Sequence, residues 1–190
     1  MNKTLISLLA ICTFSFQSLT AQRSGGFEPQ LRVSYDKGVS KMKPNTVSVE
    51  FIAGLRTSEQ TRVGLGIGYS SHSHLIPSEP GIGYGSSWDT TYKTVSSIPI
   101  FLTAKHNFNV KKFSPYVGLD VGFNHYPSAG GSDSSAEGFY LRPHGGVDLL
   151  LGRSRISLEA SFRHSTIFNH ADIDGWFSQV GISAGFSLEL

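Results

Sequence analysis

Hydrophobic and polar positions alternate along most of the chain. In "RVGLGIGYS" (62–70), Val63, Leu65, Ile67 and Tyr69 fall on one side, and Gly64, Gly66, Gly68 and Ser70 on the other. A period of two places successive side chains on opposite faces of a β-strand. Seven more runs share this texture: 27–36, 46–56, 94–106, 113–125, 139–151, 155–164 and 177–190. Each is near or above the roughly 9–11 residues that a tilted strand needs to cross a bilayer. No segment sustains a helical period, so the pattern predicts an all-β chain of eight strands.

The connections alternate as well. "TSEQT", "NVKK" and "GRS" are short and polar. "KGVSKMKPN", "SHSHLIPSEPGIGYGSSWDTTYK", "YPSAGGSDSSAE" and "STIFNHADIDGW" are long and rich in Gly, Ser, Pro or Asp. Long connections stand first, third, fifth and seventh. An antiparallel up-and-down barrel with both termini at one end produces this order, with short periplasmic turns and longer external loops. A Greek-key sandwich has no reason to segregate loop length in this way. No stretch reads as a linker or a second domain.

Composition of the two faces decides the solvent. The apolar face includes Leu31, Val33, Tyr35, Val49, Phe51, Ile100, Leu102, Val117, Leu119, Leu158, Phe162, Ile182 and Phe186, and it carries no Lys, Arg, Asp or Glu. The other face carries Glu28, Asp36, Glu50, Asp120, Asp148, Glu159 and Glu189 with Arg32, Arg56, Arg62, Lys93, Lys105, Arg142 and Arg163, seven acids against seven bases. Gly118, Gly122, Gly181 and Gly185 lie between these charges. A water-facing sheet gains nothing from glycine. A narrow lumen does, because small residues leave room for charged pairs, and buried charges must be paired. The reading is a transmembrane barrel with a polar, side-chain-filled lumen and outer-membrane lipid around it. The alternative is a soluble, lipocalin-like secreted barrel with the faces exchanged around an apolar ligand. Tyr35, Tyr69, Phe123, Tyr126 and Trp176 at one end, with Phe108 and Phe113 at the other, fall where aromatic girdles sit. Pro99 and Pro143 interrupt their runs, and a bulge or strand start is expected at each.

The first 21 residues, "MNKTLISLLAICTFSFQSLTA", have a positive start, an apolar run and a small-residue exit. That is the layout of a secretory signal peptide, which leaves 22–190 as one barrel domain. Cys12 follows the bulky Ile11, unlike a lipobox, and is the only cysteine, so no disulfide framework is expected. A formal net charge of +2 argues against a nucleic-acid partner.

The chain ends "SAGFSLEL", where Ser183, Gly185, Leu188 and Leu190 give polar-x-Gly-x-x-hydrophobic-x-hydrophobic. This resembles the C-terminal signal with which outer-membrane barrels engage the barrel-assembly machinery, although Leu190 stands where the family usually has an aromatic. "IPIFLTAKHNF" followed by "KFSPYVGLDVGF" is similar to small barrels of the OmpX and OmpA-membrane-domain type, the outer membrane protein beta-barrel domain family. The resemblance implies an eight-stranded Gram-negative outer-membrane barrel whose members act mostly in structural, adhesive or surface-interaction roles.

Eight strands leave no aqueous channel, which argues against a general porin. The external connections 71–93 and 165–176 are the candidate contacts for a surface partner. Outer-membrane lipid A deacylases place a catalytic His and Ser two positions apart on one face near the rim. Here His164 and Ser165 are adjacent, so a strand would point them to opposite faces; a rim-site lipid hydrolase remains the lesser alternative. His72, His74, His125, His164 and His170, with Asp172 and Asp174, are donor types that suit zinc or nickel, but they lack a recognised ligand spacing. Arg142, His144 and Asp148, and likewise Glu159 and Arg163, share faces that fit lumen ion pairs better than acid–base catalysis. No catalytic residue, cofactor or metal is expected.

Overall fold

Every strand pairs antiparallel with its sequence neighbours, and the last returns to the first. The computed structural model describes residues 26–40, 44–77, 90–127, 135–167 and 175–190, with only the backbone of 74–77 and 90–93. The strands are β1 (Phe27–Gly38), β2 (Asn45–Arg56), β3 (Thr61–Pro77), β4 (Thr90–Asn107), β5 (Phe113–Tyr126), β6 (Ala136–Leu151), β7 (Ser154–Ile167) and β8 (Gly175–Leu188). They form a closed barrel in the order β1 to β8, sealed by β1 against β8 from Gln30↔Ser187 to Gly38↔Gln179. Closure matters physically, since an open edge would leave backbone groups unsatisfied in lipid.

The eight runs coincide with the eight strands, but β3 and β4 exceed expectation. Their ladder continues to Pro77↔Thr90, so 71–77 and 90–93 of the expected long loop are a paired hairpin. Its polar composition hides this, because backbone pairing, rather than side-chain alternation, carries the hairpin. Trp88 and the glycines of that connection lie outside the described residues, as do residues 1–21, where a signal peptide is expected.

The prolines also depart from expectation, because neither starts a strand or adds a bulge. Pairing steps from Ile67↔Ile100 to Ser70↔Ser97 past Pro99, and from Leu141↔His164 to His144↔Ser161 past Pro143, with register kept. Each proline still pairs on its other side, Pro99 with Asn124 and Pro143 with Leu119. A missing N–H therefore interrupts one ladder locally and leaves the neighbouring one in place.

The barrel is inside-out relative to a water-soluble domain. Among the described residues, thirty-one large hydrophobics are exposed and seven hydrophobics are buried. Leu102 is 63% exposed, Leu158 64% and Ile182 68%, whereas Arg142 and Asp120 are 0% exposed. Soluble monomers rarely expose apolar patches larger than a few hundred Å². The soluble alternative with an apolar ligand inside fails, because the interior is charged. Tyr126 also departs from its expected girdle position. It is fully buried in the lumen, while Tyr35, Tyr69, Phe123, Trp176, Phe108 and Phe113 point outward.

Glycine supplies the lumen's room. Arg32 stands opposite Gly185, Asp36 opposite Gly181 and Glu50 opposite Gly68. Phe101 lies between Gly66 and Gly122, and His144 opposite Gly118. A Cβ on Gly66 would collide with the Phe101 ring, and one on Gly118 with the His144 imidazole. Gly66→Ala is therefore expected to cost about 1–3 kcal/mol, the usual penalty for overpacking. A lowered urea midpoint of the folded barrel would show it.

Candidate functional site: a charged lumen and an outward rim

Strand parity aims the charged side chains inward, and the register stacks them in layers. At the centre, Arg32 Nε donates to Glu50 Oε2 and Arg32 Nη2 to Asp120 Oδ2, both at 2.6 Å. Arg142 donates to Glu50 at 3.2 Å and to Glu159 at 2.7 Å. Arg163 Nη2 lies 3.1 Å from Asp36 and 3.3 Å from Glu50. His144 stands between Asp120 and Glu159, 3.3 and 3.1 Å away. Tyr116 donates its hydroxyl proton to Glu159 at 2.9 Å, and Ser183 Oγ donates to the same carboxylate at 2.5 Å.

Toward the short-turn end, Asp148 collects Lys105 at 2.7 Å, Arg155 at 2.9 Å and Arg62 at 3.3 Å. Glu28 accepts from Arg62 at 2.8 Å and from Arg56 at 3.3 Å, and Arg56 continues to Glu189 at 2.6 Å. The space between these layers, lined by Gln30, Arg62, Lys105 and His144 among others, is only about 20 Å³, close to what one water needs.

Aromatic faces complete the packing. The Lys105 ammonium sits 3.5 Å from the centre of the Tyr116 ring, and the Arg163 guanidinium 5.3 Å from that of Tyr140. Toward the long-connection end, His72 bonds Thr46 at 2.7 Å and Ser97 at 2.8 Å beside the Tyr126 and Phe177 rings. Gln179 also donates to Thr46, at 2.6 Å. This stack is a plug.

Of the fourteen charged residues that the sequence places on the polar face, thirteen (Glu28, Arg32, Asp36, Glu50, Arg56, Arg62, Lys105, Asp120, Arg142, Asp148, Glu159, Arg163 and Glu189) join these pairs. Arg155 is a member that the sequence reading omits; its parity with Ser157 and Glu159 carries the signal. The Lys93 side chain lies outside the described residues. Of the C-terminal pattern, Ser183 and Gly185 face inward, and Leu188 and Leu190 outward.

Among the described residues, the external histidines do not converge. His72 is turned into the lumen, and His125 and His164 face outward. His74's side chain, His170, Asp172 and Asp174 lie outside the described residues. His164 and Ser165 do point to opposite faces, and Ser165 accepts from Asn124 at 3.3 Å. His164 has another partner that sequence spacing does not reveal, because it comes from the next strand. Its Nδ1 shares a 3.1 Å hydrogen bond with Ser178 Oγ, beside Trp176 on the outer face.

The fold is that of the small eight-stranded outer-membrane barrels. The chain is similar to Neisserial surface protein A, at 20% identity over 86% of this chain and 97% of that one, with a TM-score of 0.59. It is similar also to the outer membrane protein OprG from Pseudomonas aeruginosa, at 13% identity over 89% and 97%, with a TM-score of 0.54. A third similar structure is the outer membrane enzyme PagL, at 8% identity over 82% and 97%, with a TM-score of 0.52. No protein-family model and no curated protein matches the chain.

Proposed function

We propose that this chain is an integral protein of the cell outer membrane that performs no reaction and acts through its external connections. The observation that carries the reading is the exchange of faces: paired charges fill the lumen and an apolar belt surrounds it. Residues 1–21 direct export and are removed. The pattern Ser183, Gly185, Leu188 and Leu190 engages the barrel-assembly machinery. The connections within 71–93 and 165–176 meet the surface partner.

The test is to express the full-length chain in a Gram-negative host and to compare boiled and unboiled outer-membrane fractions on a gel. A heat-dependent mobility shift in that fraction supports the reading, and a soluble periplasmic protein without one overturns it. Protease applied to intact cells is expected to cut within 78–89 and 168–174. Cleavage confined to the short turns would reverse the orientation.

One observation favours a second reading, a rim-site hydrolase of lipid: a nucleophile needs a base within hydrogen-bond reach, and Ser178 has His164 there. No carboxylate among the described residues bonds the second nitrogen of His164. His164→Ala and Ser178→Ala are therefore expected to leave the host's lipid profile, read by mass spectrometry, unchanged from that of the parent barrel. A lipid product made by the parent and lost in both variants would establish the hydrolase.

A further inference from the structure

The apolar belt is thinned at one place. Gly145 pairs with Ala160, Ala160 with Ile182, and Ala184 with both Leu158 and Val33, so small residues from β6, β7 and β8 adjoin one another on the outer face. They form the floor of an open groove of about 750 Å³, with Val33, Tyr35 and Ile182 on its walls. That size lies within the roughly 300–1,000 Å³ of ordinary ligand sites.

Charge lies directly above it. Lys37 follows Tyr35 on the same outward face of β1, toward the long-connection end, and is exposed. It is the only lysine or arginine at an outward strand position among the described residues, and no acidic partner holds it there. The sequence that follows, "KGVSKMKPN", adds Lys41 and Lys43 and contains no acid. Tyr35 and Trp176 mark the headgroup level, where aromatic belts sit. A cation at that depth, two residues or roughly 7 Å of strand above an apolar groove, matches the two parts of one molecule.

We propose that the groove and Lys37 form a binding site for a net-anionic phospholipid, with an acyl chain against Gly145, Ala160 and Ala184 and the headgroup phosphate, unneutralised by any cation of its own headgroup, on Lys37. This rests on the membrane reading above. A second copy of the chain is a poorer occupant, because it would bring its own Lys37 against this one.

The full chain is reconstituted in phosphatidylcholine vesicles containing a minority of phosphatidylglycerol. Its heat-dependent gel shift is checked first, and the lipids it retains are then counted by native mass spectrometry. Phosphatidylglycerol is expected to be enriched about fivefold over its share of the vesicle, as one lysine at an anionic surface would give. Lys37→Gln removes the enrichment, and Ala160→Phe, which fills the groove, removes retention of either lipid. Excess inorganic phosphate changes nothing.

Retention in the bulk ratio overturns the site, and so does enrichment that survives both variants. Displacement by inorganic phosphate overturns it in favour of a simple anion site, and a dimer without lipid overturns it in favour of a second copy. A chain that shows no gel shift overturns the membrane reading itself, separately from these outcomes.

Discussion

Replacing Arg32 with methionine is expected to destabilise the barrel by about 3–5 kcal/mol, the range for removing one partner of a buried ion pair. Arg32 holds Glu50 and Asp120, each at 2.6 Å, and stands 3.5 Å from Glu159. All three carboxylates are buried, so without the guanidinium they face one another where water does not screen them. Methionine keeps much of the side chain's length, which isolates the loss of charge from the loss of volume. The measurement is a urea titration of the reconstituted protein, followed by its heat-dependent gel mobility. Glu189→Gln serves as the contrast. Its pair with Arg56 sits at the mouth of the barrel, where the carboxylate is about a third open to water, and is worth about 0–1 kcal/mol, as solvent-screened pairs generally are. Equal effects of the two substitutions would mean that the lumen is wet, and the plug described here would be wrong.

Leu102→Arg is expected to cost about 2–4 kcal/mol in a bilayer, the penalty for a cation on the lipid face near the midplane. Leu102 is flanked along β4 by Ile100 and Ala104, and across the sheet by Leu65 and Val121, so its surroundings are apolar in every direction. Phe108→Arg, at the short-turn end, should cost only about 0–1 kcal/mol, because the side chain reaches the interface. The depth dependence is the decisive part, read by refolding each variant into vesicles and comparing urea midpoints. A barrel standing in water would accept Arg at position 102 as readily as at 108.

Much of this molecule is legible in the sequence, and the reason is local. A strand's two faces are set by parity alone, so "RVGLGIGYS" already divides into a lipid face and a lumen face. The short turns "TSEQT", "NVKK" and "GRS" fix the hairpin order, and the balance of seven acids and seven bases indicates pairing without naming partners. The misreadings are equally local in origin. Tyr126 lies at a strand end and was expected in the girdle, yet the lumen parity that it shares with Asp120 and Asn124 buries it. Arg155 opens its run, where boundary and parity are hardest to separate. Pro99 and Pro143 lack an N–H, and only the sheet shows which ladder yields.

The sequence by itself determined the strand count, the topology and which side of each strand is polar, because these depend on neighbours within a few residues. Only the tertiary structure decided the partners. Arg32 meets Asp120 from 88 positions away, and Arg142 meets Glu50 from 92. His164 finds Ser178 across a strand pair rather than Ser165 beside it. The outer groove is likewise assembled from β1, β6, β7 and β8: Gly145, Ala160 and Ala184 adjoin through the β6–β7 and β7–β8 ladders, and Val33 and Tyr35 join them only when β8 closes on β1. Barrel closure fixes the stagger between strands, and that stagger, which no single strand encodes, sets which side chains share a layer.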